Sequence, residues 1–185
     1  RGDLIGETIR SLQEQDFEDF EVIIVDDGST DNTKMLCEEV VSADPRFAYV
    51  AEDKKNRGPS YCRNKGYRIA QGEYLIFLDS DDAFCDDALS LLRGVIRQNP
   101  GLGMAVGGHI SVGSNGQQTF NKSSLVPEQP LERVKQYLLD KKLTLSNGSV
   151  AMHRDIFDCY RYPEKFRSSE DLSMFAYALA NYSVA

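Results

Sequence analysis

A run of nine residues, from Tyr74 to Asp82, constrains the fold of this chain most strongly. Five apolar or aromatic residues at 74–78 lead directly into Asp79, Ser80, Asp81 and Asp82. Such an uninterrupted apolar run predicts a strand buried on both faces, with the carboxylates lying where that strand ends. In open α/β sheets ligands bind at this edge, and clustered carboxylates repel one another unless a cation lies between them. The simplest alternative is an Asp-rich turn without a ligand, because Asp and Ser are common turn formers.

A second stretch of the same design favours the ligand site. The run at 20–25, in which residues 22–25 are all apolar, leads into Asp26 and Asp27, and Gly28 then allows a sharp exit into a helix. We therefore expect two buried strands to deliver carboxylates to βα loops at one edge of the sheet.

A basic segment lies between these two acidic strand ends. Six cationic residues occur there with no acidic residue among them: Lys54, Lys55, Arg57, Arg63, Lys65 and Arg68. The pair Gly58-Pro59 predicts the entry of a helix, with Cys62, Gly66 and Ile69 as its apolar stripe. A solvated basic face is the ordinary interpretation of such a charge run, and a nucleotide or phosphate contact by Arg63 is the functional one.

Helix and strand patterns alternate through the first hundred residues, beginning with an amphipathic helix at 4–15. This alternation predicts parallel strands with right-handed crossovers in a doubly wound sheet. The remainder predicts a strand at 104–112, a helix through 131–138, a strand at 149–152 and a helix at 168–182. At 185 residues the chain is interpreted as one domain. Because it opens at Arg1 within a helical pattern, we expect that a preceding segment is missing.

Composition narrows the classes of function. The formal net charge of −8 argues against sequence-independent binding of nucleic acid. No apolar run is long enough to cross a bilayer, which predicts a soluble protein. The four cysteines are spaced too widely for a zinc motif, and we expect buried, reduced thiols in a reducing compartment.

A late acidic pair, Glu170-Asp171, precedes the apolar stripe of the last predicted helix. Acidic residues in a first helical turn suit the helix dipole, which is the structural interpretation of the pair. A site that combines this pair with the two strand ends has a functional interpretation as well. One carboxylate could accept a proton from an incoming hydroxyl while a cation, held by other carboxylates, neutralises a diphosphate.

These motifs together resemble those of an inverting family 2 glycosyltransferase with the GT-A fold, over nearly the whole chain. The order and spacing carry the resemblance, through residues 25–31 (VDDGSTD), 56–60 (NRGPS), 63–66 (RNKG), 72–82 (GEYLIFLDSDD) and 170–171 (ED). The resemblance implies a Rossmann-like, mostly parallel sheet flanked by helices. It implies a nucleotide-binding half at 1–100 and an acceptor and catalytic-base half at 101–185. The strand that usually opens this fold is absent before the first helix.

The resemblance also implies roles for individual residues. Asp27 would bind the nucleotide base, Arg63 would flank the base or phosphate, and Asp79-Ser80-Asp81 would be the Asp-X-Asp motif that contacts the nucleotide. Asp81, with Asp79, would hold Mn²⁺ or Mg²⁺. Asp171 would be the general base.

The implied activity is metal-dependent transfer of a sugar from a nucleoside-diphosphate sugar, preferentially a UDP-sugar, to a hydroxyl of a saccharide or lipid-linked acceptor, as in polysaccharide biosynthesis. The implied location is cytoplasmic, with peripheral association at the inner face of a membrane left open. Trp is absent, and with it the Gln-x-x-Arg-Trp motif of processive polymerases. The alternatives are a phospho-acceptor receiver domain, a nucleotidyltransferase and a non-catalytic sugar-nucleotide binder.

Overall fold

The computed structural model describes residues 2–53, 56–122, 125–166 and 168–185 of this chain. Its helices are α1 (Gly2–Gln13), α2 (Thr33–Ala43), α3 (Pro59–Ile69), α4 (Ala88–Gln98), α5 (Pro130–Leu138), α6 (Asp155–Cys159) and α7 (Glu170–Asn181). Its strands are β1 (Val22–Asp26), β2 (Phe47–Ala51), β3 (Tyr74–Leu75), β4 (Met104–Val106), β5 (His109–Val112), β6 (Gln118–Asn121) and β7 (Val150–His153). The predicted alternation of helices and strands in the first half is confirmed.

The first core lies between α1, α2 and the β1–β2 pair. Ile5, Ile9 and Leu12 form the buried stripe of α1, as their spacing predicts, and pack with Cys37 and Val40 of α2. Strand β1 pairs with β2 in parallel, in a register that runs from Val22 opposite Phe47 to Asp26 opposite Ala51. Asp26 is therefore the last residue of the ladder, and Asp27 lies directly beyond it.

A second sheet has β7 at its centre, antiparallel to both β3 and β4. The α/β fold is confirmed, but among the described residues the only parallel pairing besides that of β1 with β2 is a single bridge between Met104 and Val184. Alternation in the first half could not reveal this arrangement, because β7 comes from the second half of the chain and enters between two strands that precede it.

Two predicted strands differ in the structure. The strand expected at 74–78 is paired only over Tyr74–Leu75, and the apolar residues that follow serve side-chain packing instead, since the Phe77 ring lies 5.4 Å from that of Phe157. The strand expected at 104–112 is divided into β4 and β5. The division falls at Gly107. Its N–H donates to the Ser149 carbonyl, and a Cβ at this position would lie 3.2 Å from that carbonyl oxygen.

The expectation of four buried thiols is wrong for two of them. All four cysteines are free, with Cys37 buried and Cys62 half-buried, whereas Cys85 and Cys159 are exposed. Cys85 lies in the loop before α4 and Cys159 is the last residue of α6, so neither faces a core.

The main core joins β4, β7, α6 and α7 around a group of aromatic rings. The Phe157 side chain is 1% exposed, and its ring centroid lies 5.5 Å from that of Tyr67 and 6.3 Å from that of Tyr162. This core supports α3 and the segment before α7, which carry most of the site described below.

Replacing Phe157 with Ala should lower the free energy of unfolding by about 3–5 kcal/mol, because it leaves a cavity among packed rings. The measurement is urea denaturation followed by circular dichroism. Phe166→Ala is the matched control, since that ring is 52% exposed. A Phe157→Ala loss no larger than that of the control would contradict the central position of this ring.

Candidate active site at the strand ends

The two carboxylates at the end of β1 have different surroundings. Asp26 is buried, and its oxygens accept hydrogen bonds from the Ser29 N–H (2.8 Å) and the Tyr49 hydroxyl (2.7 Å). Burial raises the pKa of Asp26, but the hydrogen bonds from Tyr49 and Ser29 outweigh it, so the pKa lies below its usual value. Asp26 therefore holds the strand end and its loop together.

Asp27 instead faces the entry of α3. Its Oδ2 accepts the Gly58 N–H at 2.8 Å, and its carbonyl accepts the Asn56 N–H at 3.2 Å. Within the described parts of the chain, its Oδ1 is buried and has no hydrogen-bond partner. Asn56 and Gly58 both have positive φ, 58° and 92°, a backbone conformation that is unfavourable for Asn56. The loop thus places one unsatisfied carboxylate oxygen beside the amino end of α3.

The buried face of α3 is polar. Its buried residues are Ser60, Arg63, Asn64 and Tyr67, whereas Ile69 of the predicted apolar stripe is 37% exposed. The stripe prediction is therefore wrong at that residue, because the helix turns a hydrogen-bonded polar face inwards. The solvated-face interpretation fails for Arg63, while Lys54 and Lys55 lie outside the described residues.

Arg63 joins two distant segments. Its side chain is 8% exposed, with Nη1 at 2.6 Å from Glu170 Oε1 and Nη2 at 2.8 Å from Asp79 Oδ1. Burial lowers the pKa of Arg63, but the negative charge of Asp79 and the hydrogen bonds to Glu170 and Asp79 outweigh it, so the pKa is raised. We call Asp79, Arg63 and Glu170 the Arg63 bridge. It connects the turn at residues 79–82, which we call the Asp79 turn, to the first residue of α7.

Tyr162 lies next to this bridge and is almost fully buried. The Arg63 guanidinium carbon is 5.2 Å from the centre of its ring, and the Asn64 side chain bonds both its backbone N–H and its carbonyl. Burial raises the pKa of Tyr162; Arg63 lowers it, and the charges of Asp171, Asp79 and Glu170 raise it further. The late acidic pair and the Asp79 turn therefore lie within electrostatic range of one ring.

The turn after β3 concentrates carboxylates. The Asp82 N–H donates to the Asp79 carbonyl at 3.0 Å, Ser80 is half-buried, and Asp81 is exposed. Burial raises the pKa of Asp82, the charges of Asp79 and Asp81 raise it further, and His109 lowers it. The mutual repulsion of these groups would be relieved by a divalent cation.

The donor set fits a nucleotide-bound Mg²⁺ or Mn²⁺. Asp81 and the second oxygen of Asp79 are hard ligands next to solvent, and such ions are usually bound by one or two carboxylates plus phosphate oxygens and water. No group of three or more His, Cys, Asp or Glu side chains in the described ranges is arranged to hold a metal ion.

Sequence reasoning named most of these residues but not two of the contacts that organise them. Glu170 was visible only as an acidic neighbour of Asp171, and a first-turn acidic residue has an ordinary explanation in the helix dipole. Tyr162 carries no sequence signal, being one of nine scattered tyrosines.

The fold and the site together define an α/β protein with carboxylates near two strand ends and an acidic pair at the start of a late helix. Comparison with known families identifies the family. The family described as Glycosyl transferase family 2 matches residues 1–161, and the chain belongs to that family.

Relatives with assigned names are matched over about half of this chain. A GalNAc(5)-diNAcBac-PP-undecaprenol beta-1,3-glucosyltransferase of Campylobacter jejuni is 39% identical over 89 residues, which cover 48% of this chain and 29% of the relative. The putative teichuronic acid biosynthesis glycosyltransferase TuaG of Bacillus subtilis is 40% identical over 87 residues, 47% of this chain and 34% of the relative.

Solved structures match the whole of this chain. Residues 1–349 of TarS from S. aureus in complex with UDP give a TM-score of 0.78 at 28% identity, covering 99% of this chain and 54% of that one. The mannosyltransferase PcManGT of Pyrobaculum calidifontis, in complex with GDP-Man and Mn²⁺, gives 0.71 at 19% identity, covering 100% and 50%, and shows the fold alone. The predicted GT-A fold is confirmed.

The described helices include none that combines the length and the apolar character needed to cross a bilayer.

The Arg63 bridge predicts an unequal effect of removing its two carboxylate charges. Glu170→Gln should lower the free energy of unfolding by about 2 kcal/mol or more, because it leaves a buried guanidinium poorly compensated. Asp79→Asn should cost about 1 kcal/mol or less, because that side chain is 49% exposed. Urea denaturation of both variants, with the surface change Glu132→Gln as control, measures the difference. Equal losses in the two variants would show that the bridge is not asymmetric.

Proposed function

We propose that this chain transfers a sugar from a UDP-sugar to an acceptor hydroxyl, with a divalent cation at the Asp79 turn and with inversion at the anomeric carbon. The single observation that carries the proposal is the Arg63 bridge, because it holds the Asp79 turn and the start of α7 together. Residues 1–100 would bind the nucleotide, and residues 101–185 would supply the base and the acceptor surface.

The β1 end would recognise the nucleotide base. None of the described residues donates a hydrogen bond to Asp27 Oδ1, and an unpaired buried carboxylate oxygen is unfavourable. The N3–H of uracil is a suitable donor for it. We propose UDP rather than another nucleotide because TarS has been crystallised with UDP and with UDP-GlcNAc. Mannosyltransferase PcManGT with GDP-Man illustrates that the fold alone does not fix the base.

The Asp79 turn would receive the diphosphate. Asp81 is proposed as the main ligand of Mn²⁺ or Mg²⁺, with the oxygen of Asp79 that does not contact Arg63 as the second. The bound cation would act as a Lewis acid on the diphosphate leaving group. Ser80 lies between the two carboxylates and could donate to a phosphate oxygen.

Asp171 would act as the general base. It would accept the proton of the acceptor hydroxyl as that oxygen forms a bond to the anomeric carbon and the bond to the diphosphate breaks on the opposite side, which inverts the configuration. Asp171 is half-buried in the first turn of α7, directly after Glu170. Ser169, the residue before that pair, has a φ of 57°. Arg63 would hold this strained helix start in place and so position Asp171.

The acceptor is proposed to be a saccharide carried on a lipid. The Campylobacter jejuni relative is named for an undecaprenol-linked acceptor, and TuaG for teichuronic acid biosynthesis. The chain spans only about a third of the length of these relatives. That the acceptor is lipid-linked and is presented at the cytoplasmic face of a membrane is therefore part of the proposal. Family membership leaves no support for the receiver or nucleotidyltransferase alternatives, and the non-catalytic binder is tested by turnover.

Asp171→Asn should reduce turnover by ~10²–10⁴, since a positioned base contributes about that much. The readout is UDP released from UDP-GlcNAc in the presence of Mn²⁺, with water as acceptor. Asp155→Asn is the matched control, because that carboxylate is 67% exposed. Wild-type turnover in Asp171→Asn would exclude it as the base, and no turnover by the wild type would favour a non-catalytic binder.

Asp81→Ala should act on donor binding rather than on the proton transfer. At a fixed Mn²⁺ concentration, we expect the KM for UDP-GlcNAc to rise ~10-fold or more, as happens when a metal site loses a ligand or its support. Asp86→Ala, which changes an exposed carboxylate of the same loop, serves as control. A lower kcat with an unchanged KM would argue against Asp81 as a metal ligand.

A further inference from the structure

The hairpin formed by β5 and β6 leaves one apolar face uncovered. The two strands pair only with each other among the described strands, with Ile110 opposite Phe120 and Val112 opposite Gln118. Directly opposite residues of an antiparallel pair share a face, as do residues two apart on one strand. Ile110, Val112 and Phe120 therefore lie on one face, which we call the hairpin face; they are 38%, 65% and 71% exposed.

The other face of the hairpin is polar and internally bonded. Ser111 and Thr119 are directly opposite each other on that face, and the Asn121 side chain donates to the Ser111 hydroxyl at 3.0 Å. The hairpin is thus amphipathic, although every residue from 110 to 120 is exposed. An isolated two-stranded hairpin is only marginally stable in water, so covering the apolar face would stabilise it.

The charge pattern indicates what could cover this face. The chain has 29 acidic residues, yet none occurs between Asp87 and Glu128. Two residues after Phe120, Lys122 is exposed, and Leu125 farther along is 98% exposed. A molecule with a net charge of −8 is repelled overall by an anionic surface, whereas the hairpin face carries no carboxylate of its own and is followed by the cation of Lys122.

The hairpin starts close to the Asp79 turn. Gly107, two residues before β5, donates its N–H to the Ser149 carbonyl, and a Cβ at the neighbouring Gly148 would lie 2.9 Å from the Leu78 side chain, which precedes Asp79. His109 shares the polar face of the hairpin with Ser111, so the hairpin face is on the opposite side of the two strands.

We propose that the hairpin face, with Lys122 and Leu125, docks on the surface of an anionic lipid bilayer. Apolar side chains would enter the boundary between headgroups and acyl chains, while Lys122 would contact anionic headgroups. The proposal deepens the proposed function, since it rests on a lipid-linked acceptor.

A single tryptophan tests this docking directly, because the chain has none of its own. Phe120→Trp should show an emission shift to shorter wavelength when vesicles containing phosphatidylglycerol are added. Met35→Trp, on the exposed side of α2, should show no shift, since Met35 is 60% exposed but lies outside the hairpin. A shift of both reporters, or of neither, would overturn the proposal.

Sedimentation with the same vesicles gives a second readout. The double change Val112→Ser with Phe120→Ser should weaken vesicle partitioning ~10-fold or more, and Lys122→Gln should weaken it roughly fivefold. The control Met35→Ser with Leu91→Ser removes apolar groups of similar exposure elsewhere and should leave partitioning unchanged. Equal partitioning onto vesicles of phosphatidylcholine alone would overturn the anionic requirement.

Two further outcomes separate this proposal from its rivals. The tryptophan emission of the Phe120→Trp variant could already lie at short wavelength without vesicles and move to longer wavelength on dilution. In that case a second copy of the chain covers the hairpin face, and the membrane proposal is overturned. Vesicle binding is measured without nucleotide or acceptor. Failure of sugar transfer therefore leaves the docking result standing, and failure of docking leaves the transfer chemistry standing.

Discussion

A buried guanidinium is the constraint on which the rest of the site depends. Placing the charge of Arg63 in the interior carries a desolvation cost of several kcal/mol unless well-placed partners compensate for it. Glu170 and Asp79 supply that compensation from segments more than 90 residues apart in sequence. The start of α7 and the turn after β3 therefore cannot move independently. Any chemistry that needs Asp171 near the Asp79 turn benefits from this connection.

Helix α3 is the element that links the two strand ends. Its amino end donates to Asp27 through the Gly58 N–H, and one turn later Arg63 reaches Asp79. The Asn64 side chain on the same face donates to the Tyr162 carbonyl and accepts the Tyr162 N–H. The unfavourable backbone conformations at Asn56 and Ser169 lie beside these contacts, as is common where a functional site requires a particular geometry. The site is thus organised from a polar helix face instead of a hydrophobic one.

Much of this arrangement could be predicted from the sequence, because it follows from local patterns. The apolar run before Asp27 indicated a strand that ends in carboxylates, and the α1 stripe was predicted correctly from its spacing. The run before Asp79 forms a strand only over Tyr74–Leu75, and four of the five β1 residues are half-buried, so the prediction of two strands buried on both faces is wrong. What the sequence could not reveal depends on contacts between distant segments. The insertion of β7 between β3 and β4, the burial of Arg63, and the position of Tyr162 leave no periodic signal. The roles of Asp27, Arg63, Asp79, Ser80, Asp81 and Asp171 in binding and catalysis stay predictions.

In the proposed function, the two strand ends form one donor site that needs a cation. The measurement to make is calorimetric titration of the wild-type protein with UDP, once in Mn²⁺ and once in EDTA. We predict saturable binding in Mn²⁺ that is lost in EDTA, because the diphosphate would otherwise meet the uncompensated carboxylates of the Asp79 turn. Equally tight binding in both buffers would contradict a metal-dependent donor site, and absence of binding at millimolar UDP in Mn²⁺ would contradict the assignment of the nucleotide.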